Sequence, residues 1–424
     1  MNKELWYSSP GDVPVVSGEE RRRAVRTVLE RCGVLRRMLI VPPDITRANS
    51  GAGELTRLLV EEARTRYAGA QVDILPALGT HFAMAEHERR EMYGDLPAAL
   101  FKVHQWRTGL VKLGEVPGAF VSDVSGGKVA YAINVEIDEL LVNGKYDLIV
   151  SVGQVVPHEV AGMANGSKNI LVGAGGSDTI NKTHFLGAVC NMETIMGRAQ
   201  NPVRTVFDYA EERYLQALPI VYVQTVIGAD RTMRGLFAGA GPAPFRAAAG
   251  LSQRLNITLL DAPLRKVVVN LDAREFKSTW LGNKAIYRTR MAMADQGELI
   301  ILAPGLEQFG EDKEIDRLVR KYCYRGTPAT LDAVRDNAEL RGNLSAAAHL
   351  IHGSSEGRFA ITYAPGKITR TEIEGVNFRY ADLAATMKRY DPAKLTPGVN
   401  VVKGEEIFYI ENPALGLWGL RSQF

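Results

Sequence analysis

Cysteine is scarce: Cys32, Cys190 and Cys323 are the only three in 424 residues. They are widely scattered and make no Cys-x-x-Cys pair, which leaves no disulfide framework. A reducing compartment is the simpler reading. Long apolar runs are lacking as well. No window approaches the roughly 18 consecutive apolar residues of a membrane span. The opening MNKELWYSSPGDVP has no apolar signal core. The expectation is a soluble cytoplasmic protein with no membrane partner. Charge of one sign is also missing, since 51 basic and 48 acidic side chains leave a net +3. So small a surplus gives no reason to expect nucleic acid, though it fits an acidic small molecule. There is no short-period repeat, no low-complexity tract and no dense His/Cys/Glu cluster of the kind that predicts a zinc site.

What is present is apolar substance, 46% of the chain. That is ample for two or three cores at roughly 100–200 residues per domain. MLIVPP (38–43) and VDILPA (72–77) read as buried strands. A helical pattern over 53–68 lies between them, and a charged helix over 85–94 follows. This alternation predicts a parallel sheet covered by helices. Segment 101–145 alternates apolar and polar residues and is broken by Gly pairs, which predicts an antiparallel addition. YDLIVSVG (146–153) restarts the α/β pattern, and 204–214 and 218–228 read as helix and strand.

GAGPAP (239–244) is the best linker candidate, with a hinge expected at about 240–260. Beyond it, strands are expected at 265–273, 298–305 and 359–365, and helices at 273–294 and 311–322. The fold class is therefore α/β, as two α/β domains with a cofactor and substrate cleft between them. The boundaries are 1–256 and 257–402, with the tail 403–424 expected to pack back onto the first domain.

The chemistry concentrates in GQVVPHEVAGMANGSKNILVGAGGSDTINKTH (153–184). His158 follows a buried strand, Lys168 stands in the small-residue run NGSKN, and His184 comes after a Gly-rich loop. Gly-rich segments let backbone approach a ligand closely. Ligands of parallel sheets bind beyond the carboxyl ends of strands. PPDITR (42–47) and LGTH (78–81) leave their strands at that end. Arg47 offers a planar fork that fits a carboxylate, and Asp44 could orient that fork or bind a substrate hydroxyl. The plainer alternative is an Asp–Arg pair that staples the loop. An unperturbed histidine, with a pKa of about 6.5, suits proton transfer near neutrality, and His81 sits one strand further on in the same kind of place. No role is assigned to His87, His104, His349 or His352. In segment 273–294, Lys277, Trp280, Lys284 and Arg288 fall on one helical face. For Lys277 and Arg288 the expectation is a solvated basic face.

These three motifs and a fourth, TWLGNKAI (279–286), together resemble the lactate racemase family, whose cofactor is a nickel-pincer nucleotide. The resemblance runs over most of the chain. It implies that His81 and His158 are paired catalytic bases and that Arg47 and Lys284 clamp the substrate carboxylate. It also implies that Lys168 carries the cofactor covalently, with Thr46 beside it, and that His184 ligates nickel. The pincer supplies two sulfurs and a carbon itself, so one imidazole suffices from the protein. Trp280 and Leu281 stand where lactate racemases usually have Tyr and Gln, which points to a 2-hydroxy acid other than lactate. The family's C-terminal active-site Trp has no counterpart in 341–352.

The implied activity is a racemase or epimerase inverting C2 of a 2-hydroxy carboxylic acid by reversible hydride transfer. Its partners are then the small acid and, transiently, the cofactor-synthesis enzymes. Protein made without those enzymes is expected to be empty. The alternatives are a cofactor-free two-histidine epimerase or lyase, and a non-catalytic hydroxy-acid-binding protein.

Overall fold

The computed structural model describes residues 4–9 and 15–424. Two compact units make up the chain: residues up to 186 with 194–256, and residues 187–193 with 257–424. In chain order the strands of the first unit are β1 (Leu5–Ser8), β2 (Arg37–Val41), β3 (Gln71–Ile74), β4 (Leu110–Val116) and β5 (Ile133–Asp138). They continue with β6 (Leu148–Gln154), β7 (Pro157–His158), β8 (Gly162–Met163), β9 (Ile220–Ile227) and β10 (Met233–Gly239).

Six of these form one sheet in the order β1-β10-β9-β6-β2-β3. Strands β3, β2, β6 and β9 are parallel, with Ile40 opposite Val150 and Val150 opposite Val221. Strands β10 and β1 complete the sheet antiparallel. The pattern of β6 explains its central place. Six consecutive residues, Leu148 to Gly153, are buried, as a strand covered on both faces requires. The covering helices include Gly18–Cys32, started by a Ser17–Glu20 capping box, and Ala52–Arg66. The expected antiparallel addition is the β4–β5 pair, with Leu110 opposite Asp138.

GAGPAP is not the linker. It joins β10 to helix Ala243–Asn256, whose Phe245, Ala248 and Ala249 are buried with Val226 and Phe237 of the same sheet. The chain leaves the first unit after Asn256 instead.

The second unit has β11 (Ile257–Leu260), β12 (Leu264–Asn270), β13 (Met293–Ala303), β14 (Ala360–Pro365), β15 (Arg379–Tyr380), β16 (Gly398–Val402), β17 (Glu405–Ile410) and β18 (Leu417–Leu420). Its main sheet runs β15-β14-β13-β12-β17-β16, parallel except for β16. The strands of the tail 403–424 belong to the second unit. Buried Ile407, Phe408, Tyr409 and Ile410 place β17 beside β12, and β18 pairs with β11.

The long helix expected over 273–294 is two short ones, Thr279–Gly282 and Lys284–Thr289. The amides that would start a longer helix bond elsewhere: Thr279 N–H to the Gln308 carbonyl and Trp280 N–H to that of Phe309. Arg288 is 4% exposed and donates to the Gly416 carbonyl, so it belongs to no solvated face. Among the described residues no helix is long and apolar enough to cross a membrane.

Candidate active site

Of the candidate residues of the first unit, Asp44, Thr46, Arg47 and His81 sit on segments leaving the carboxyl ends of β2 and β3, while His158, Lys168 and His184 follow β6 in the chain. After β2, Asp44 caps the short helix Ile45–Ser50. One carboxylate oxygen, Oδ1, accepts from Thr46 N–H at 3.2 Å and Thr46 Oγ1 at 2.5 Å. The other, Oδ2, lies 2.6 Å from His81 Nδ1. Both oxygens of Asp44 are thus engaged with protein, and so is the Thr46 hydroxyl. The structure makes Asp44 a partner of His81, a contact the sequence did not suggest.

Burial alone would raise the Asp44 carboxyl. The His81 and Thr46 hydrogen bonds and the Arg47 charge outweigh it and hold the group below the usual carboxylate range. An ionised carboxylate only accepts, so His81 presents Nδ1–H to it and keeps its Nε2 lone pair for other work. Arg47 breaks the helical geometry at φ −118°, ψ 31°, and its side chain is exposed.

The His81 loop is braced from below. Ala77 N–H donates to the Pro42 carbonyl at 2.7 Å and Gly79 N–H to that of Gly173 at 2.8 Å. Gly79 has φ +55°, which favours glycine.

His158, on the two-residue strand β7, is 7% exposed. Its Nδ1 accepts from the backbone N–H of Val160 at 3.1 Å and of Ala161 at 3.4 Å. The neutral ring therefore carries its proton on Nε2, the opposite arrangement to His81. Burial pushes its imidazolium well below the usual range against the pull of Glu159; Lys168, Arg47 and His184 push the same way as burial. These groups thus lie within electrostatic reach of one another.

Lys168 directly precedes the π-helical turn Asn169–Gly173, a kind of bulge frequent at functional sites. Burial, then the Arg47 charge, lowers its ammonium to about 8. Asn169 ties the turn to the sheet, donating to the Val41 carbonyl at 2.9 Å and Ser151 Oγ at 3.0 Å.

His184 lies within helix Ser177–Val189, not at its end. Its Nδ1 is 2.6 Å from the Ile180 carbonyl, which only accepts, so Nδ1 bears the proton and Nε2 is bare. Burial, reinforced by Lys168, lowers its pKa to about 4. A ring fixed by a backbone carbonyl and uncharged at neutral pH suits a metal ligand. Among the described residues no three His, Cys, Asp or Glu side chains gather to hold a metal. One imidazole therefore fits a metal that brings most of its own ligands, and a half-buried amine of lowered pKa fits a covalent anchor.

Three expected residues belong to the second unit. Lys284 Nζ lies 4.0 Å from Glu275 Oε1 and 5.5 Å from the Phe276 ring centroid. The Trp280 ring lies 4.5 Å from the ring of His349, which in turn meets Tyr324 Oη at 2.8 Å. The aromatic neighbour of Trp280 from 341–352 is thus a histidine. Leu281 is half-buried beside it. A cavity of about 580 Å³ in this unit, lined in part by Glu193, Arg290, Glu356 and Arg358, contains none of the expected residues.

Sequence reasoning missed Glu159, Arg204, Gln224 and the pair His104–Asp138. His104 is 3% exposed, with Nδ1 2.8 Å from Asp138 Oδ2 and Nε2 3.0 Å from the Gly175 carbonyl. Gln224 had a signal: with Thr225 it interrupts the apolar run of the strand IVYVQTVI. For Glu159 there was none beyond adjacency to His158.

Residues 28–197 match the family described as the lactate racemase N-terminal domain. The chain is 26% identical over 315 residues to the lactate racemase of Thermoanaerobacterium thermosaccharolyticum, covering 69% of this chain and 68% of that protein. In structure it is similar to a structural-genomics protein of Thermotoga maritima, with TM-score 0.80, 22% identity and 96% and 99% of the two chains covered. It is also similar to the lactate racemase apoprotein of T. thermosaccharolyticum, with TM-score 0.72, 19% identity and 94% and 92% covered. The resemblance to lactate racemases and the α/β fold both stand on these likenesses.

Proposed function

We propose that this chain is a racemase or epimerase that inverts C2 of a 2-hydroxy carboxylic acid, using a nickel-pincer nucleotide held by Lys168 and His184. The likeness to lactate racemases supports racemase or epimerase activity in general. The finer reading rests on one observation above all. His81 and His158 are held in opposite tautomers, His81 by Asp44 and His158 by backbone amides.

Arg47, aided by Lys284, binds the substrate carboxylate through charge-assisted hydrogen bonds. His81 Nε2 takes the proton of the C2 hydroxyl, and Asp44 stabilises the resulting imidazolium, as a buried carboxylate does for an oriented histidine. His158 Nε2–H donates a hydrogen bond to the substrate oxygen, which regains its proton from the His81 imidazolium when the C2 hydrogen returns to the opposite face. For the mirror-image substrate the two histidines exchange duties, and His158 must then release the amides at its Nδ1 to present a bare nitrogen. When bound, the pincer group supplies the electrophilic carbon that takes up and returns the C2 hydrogen as hydride, which avoids a dianion beside the carboxylate. Trp280 and Leu281 shape a pocket for an acid other than lactate.

The test is a chiral assay on single enantiomers of aliphatic, aromatic and sugar 2-hydroxy acids, with protein made alongside the cofactor-synthesis enzymes. Racemisation of at least one acid, abolished in Lys168→Ala and His184→Ala, is the expected result. Inversion that survives both substitutions sinks the cofactor reading.

A further inference from the structure

Lys168 follows a loop that the fold holds from two sides, and the inference below rests on reading Lys168 as the anchoring amine. Arg204, on helix Pro202–Ala210, is 1% exposed. Its Nη2 donates to the Met163 carbonyl at 2.8 Å and the Asn165 carbonyl at 3.2 Å, and its Nη1 to Ser167 Oγ at 3.4 Å. The guanidinium lies 3.9 Å from the Phe245 ring centroid. Gln224, fully buried in β9, meets the same loop. Its Oε1 accepts from Gly166 N–H at 3.0 Å and its Nε2 donates to Asn165 Oδ1 at 3.2 Å.

The held conformation is a demanding one. Asn165 and Gly166 are consecutive left-handed residues, at φ +66° and +64°. A side chain on Gly153 would reach within 1.8 Å of Asn165 Nδ2, so the loop packs directly on the end of β6.

Burying a guanidinium is penalised by desolvation, and an apolar residue in that place is often no less stable. Here burial is the leading influence on Arg204 and lowers its pKa to about 10, only partly offset by Asp208 and Glu211. The planar fork does what an apolar residue cannot: it fixes two carbonyls and a hydroxyl of one loop at once. We propose that Arg204, seconded by Gln224, is the positioning residue of Lys168. It sets the conformation of 163–167 and thereby the direction in which the Lys168 amine is presented. It touches neither substrate nor cofactor and is not catalytic.

The experiment uses the full-length apoprotein and the variants Arg204→Met, Arg204→Lys, Gln224→Met and Asn165→Gly. One readout is amide hydrogen exchange in the peptide 162–170. The other is the pH profile of acetylation by N-hydroxysuccinimidyl acetate, mapped by mass spectrometry. That reagent forms an amide on the neutral amine and releases N-hydroxysuccinimide. Lys394, with 81% of its side chain exposed, is the internal reference.

In Arg204→Met we expect exchange in 162–170 to rise about ten-fold while the peptides of β2 and β9 hold, as a local opening would produce. The Lys168 profile should converge on that of Lys394, and added methylguanidinium should move it back. Arg204→Lys should recover part of the effect. Wild-type exchange and an unchanged Lys168 profile in folded Arg204→Met would overturn the proposal. If that variant does not fold, Gln224→Met and Asn165→Gly decide it by the same peptide: faster local exchange supports it and unchanged exchange overturns it. A bare Lys168 in protein made with the cofactor-synthesis enzymes defeats the anchoring reading alone, because exchange and acetylation are measured without cofactor.

Discussion

Asp44 Oδ2 lies 2.6 Å from His81 Nδ1, with the carboxylate buried and the imidazole largely exposed. A charged acceptor at that distance fixes both the tautomer and the orientation of the ring, leaving Nε2 as the base. Asp44→Asn preserves shape but removes the charge that stabilises the imidazolium. We expect turnover to fall by about 10²–10⁴-fold, with KM little changed. Steady-state kinetics with either enantiomer check this. A change confined to KM would make Asp44 a substrate ligand instead.

The tautomers themselves are measurable without cofactor. In histidine-labelled protein near neutral pH, ¹⁵N spectra should show the proton on Nδ1 for His81 and His184 and on Nε2 for His158. The causes are a carboxylate, the Ile180 carbonyl and two backbone amides. A His158 ring protonated on Nδ1 would remove the proposed division of labour.

Lys168 gives a pH prediction with a definite sign. Its ammonium is lowered from 10.5 to about 8 by burial and Arg47. The folded protein therefore releases this proton before the unfolded chain does. Between about 8 and 10.5 the unfolded chain binds more protons, so this group's contribution to stability rises with pH across that window. Below about 8 both states are protonated and the penalty is fully present. Denaturant titrations of wild type against Lys168→Met should differ most below pH 8 and converge above it. A pH-independent difference would place Lys168 in an ordinary solvated setting.

His104 bridges the buried Asp138 carboxylate at its Nδ1 and the Gly175 carbonyl at its Nε2. The pair clamps the GAGG turn that precedes the helix of His184. Removing one partner of a buried pair leaves the other charge uncompensated. His104→Ala should therefore cost about 3–5 kcal/mol in urea unfolding. A loss under 1 kcal/mol would show the pair to be dispensable.

Substrate preference is tested by the double variant Trp280→Tyr with Leu281→Gln, which restores the residues usual in lactate racemases. Lactate racemisation should rise by at least about ten-fold, since a site built to hydrogen-bond its substrate can discriminate by as much as about 10⁴–10⁵-fold. No gain would move the specificity determinant elsewhere, with His349, 4.5 Å from Trp280, the next residue to change.

The parallel sheet was legible because β2, β6 and β9 are near-continuous apolar runs, and Arg47, His81, His158, Lys168 and His184 were legible as motif residues. The roles of their supports were not. The Asp44–His81 pair was not foreseen because only the folded chain brings Asp44 to His81, 37 residues away. Arg204 reads in sequence as an ordinary helix arginine, and its loop partners come from 163–167. The false helix over 273–294 had the right periodicity, yet Thr279 and Trp280 give their amides to the Gln308 and Phe309 carbonyls. The place of the tail strands was not legible because β17 joins the second sheet through a register invisible in its own residues.

The most direct measurement is intact mass with metal analysis on protein made alongside the cofactor-synthesis enzymes. The account predicts an adduct of the pincer nucleotide on the peptide containing Lys168 and nickel bound in equal amount, both lost in Lys168→Ala. A bare mass together with undiminished inversion of a 2-hydroxy acid would contradict it and leave a cofactor-free epimerase built on His81 and His158.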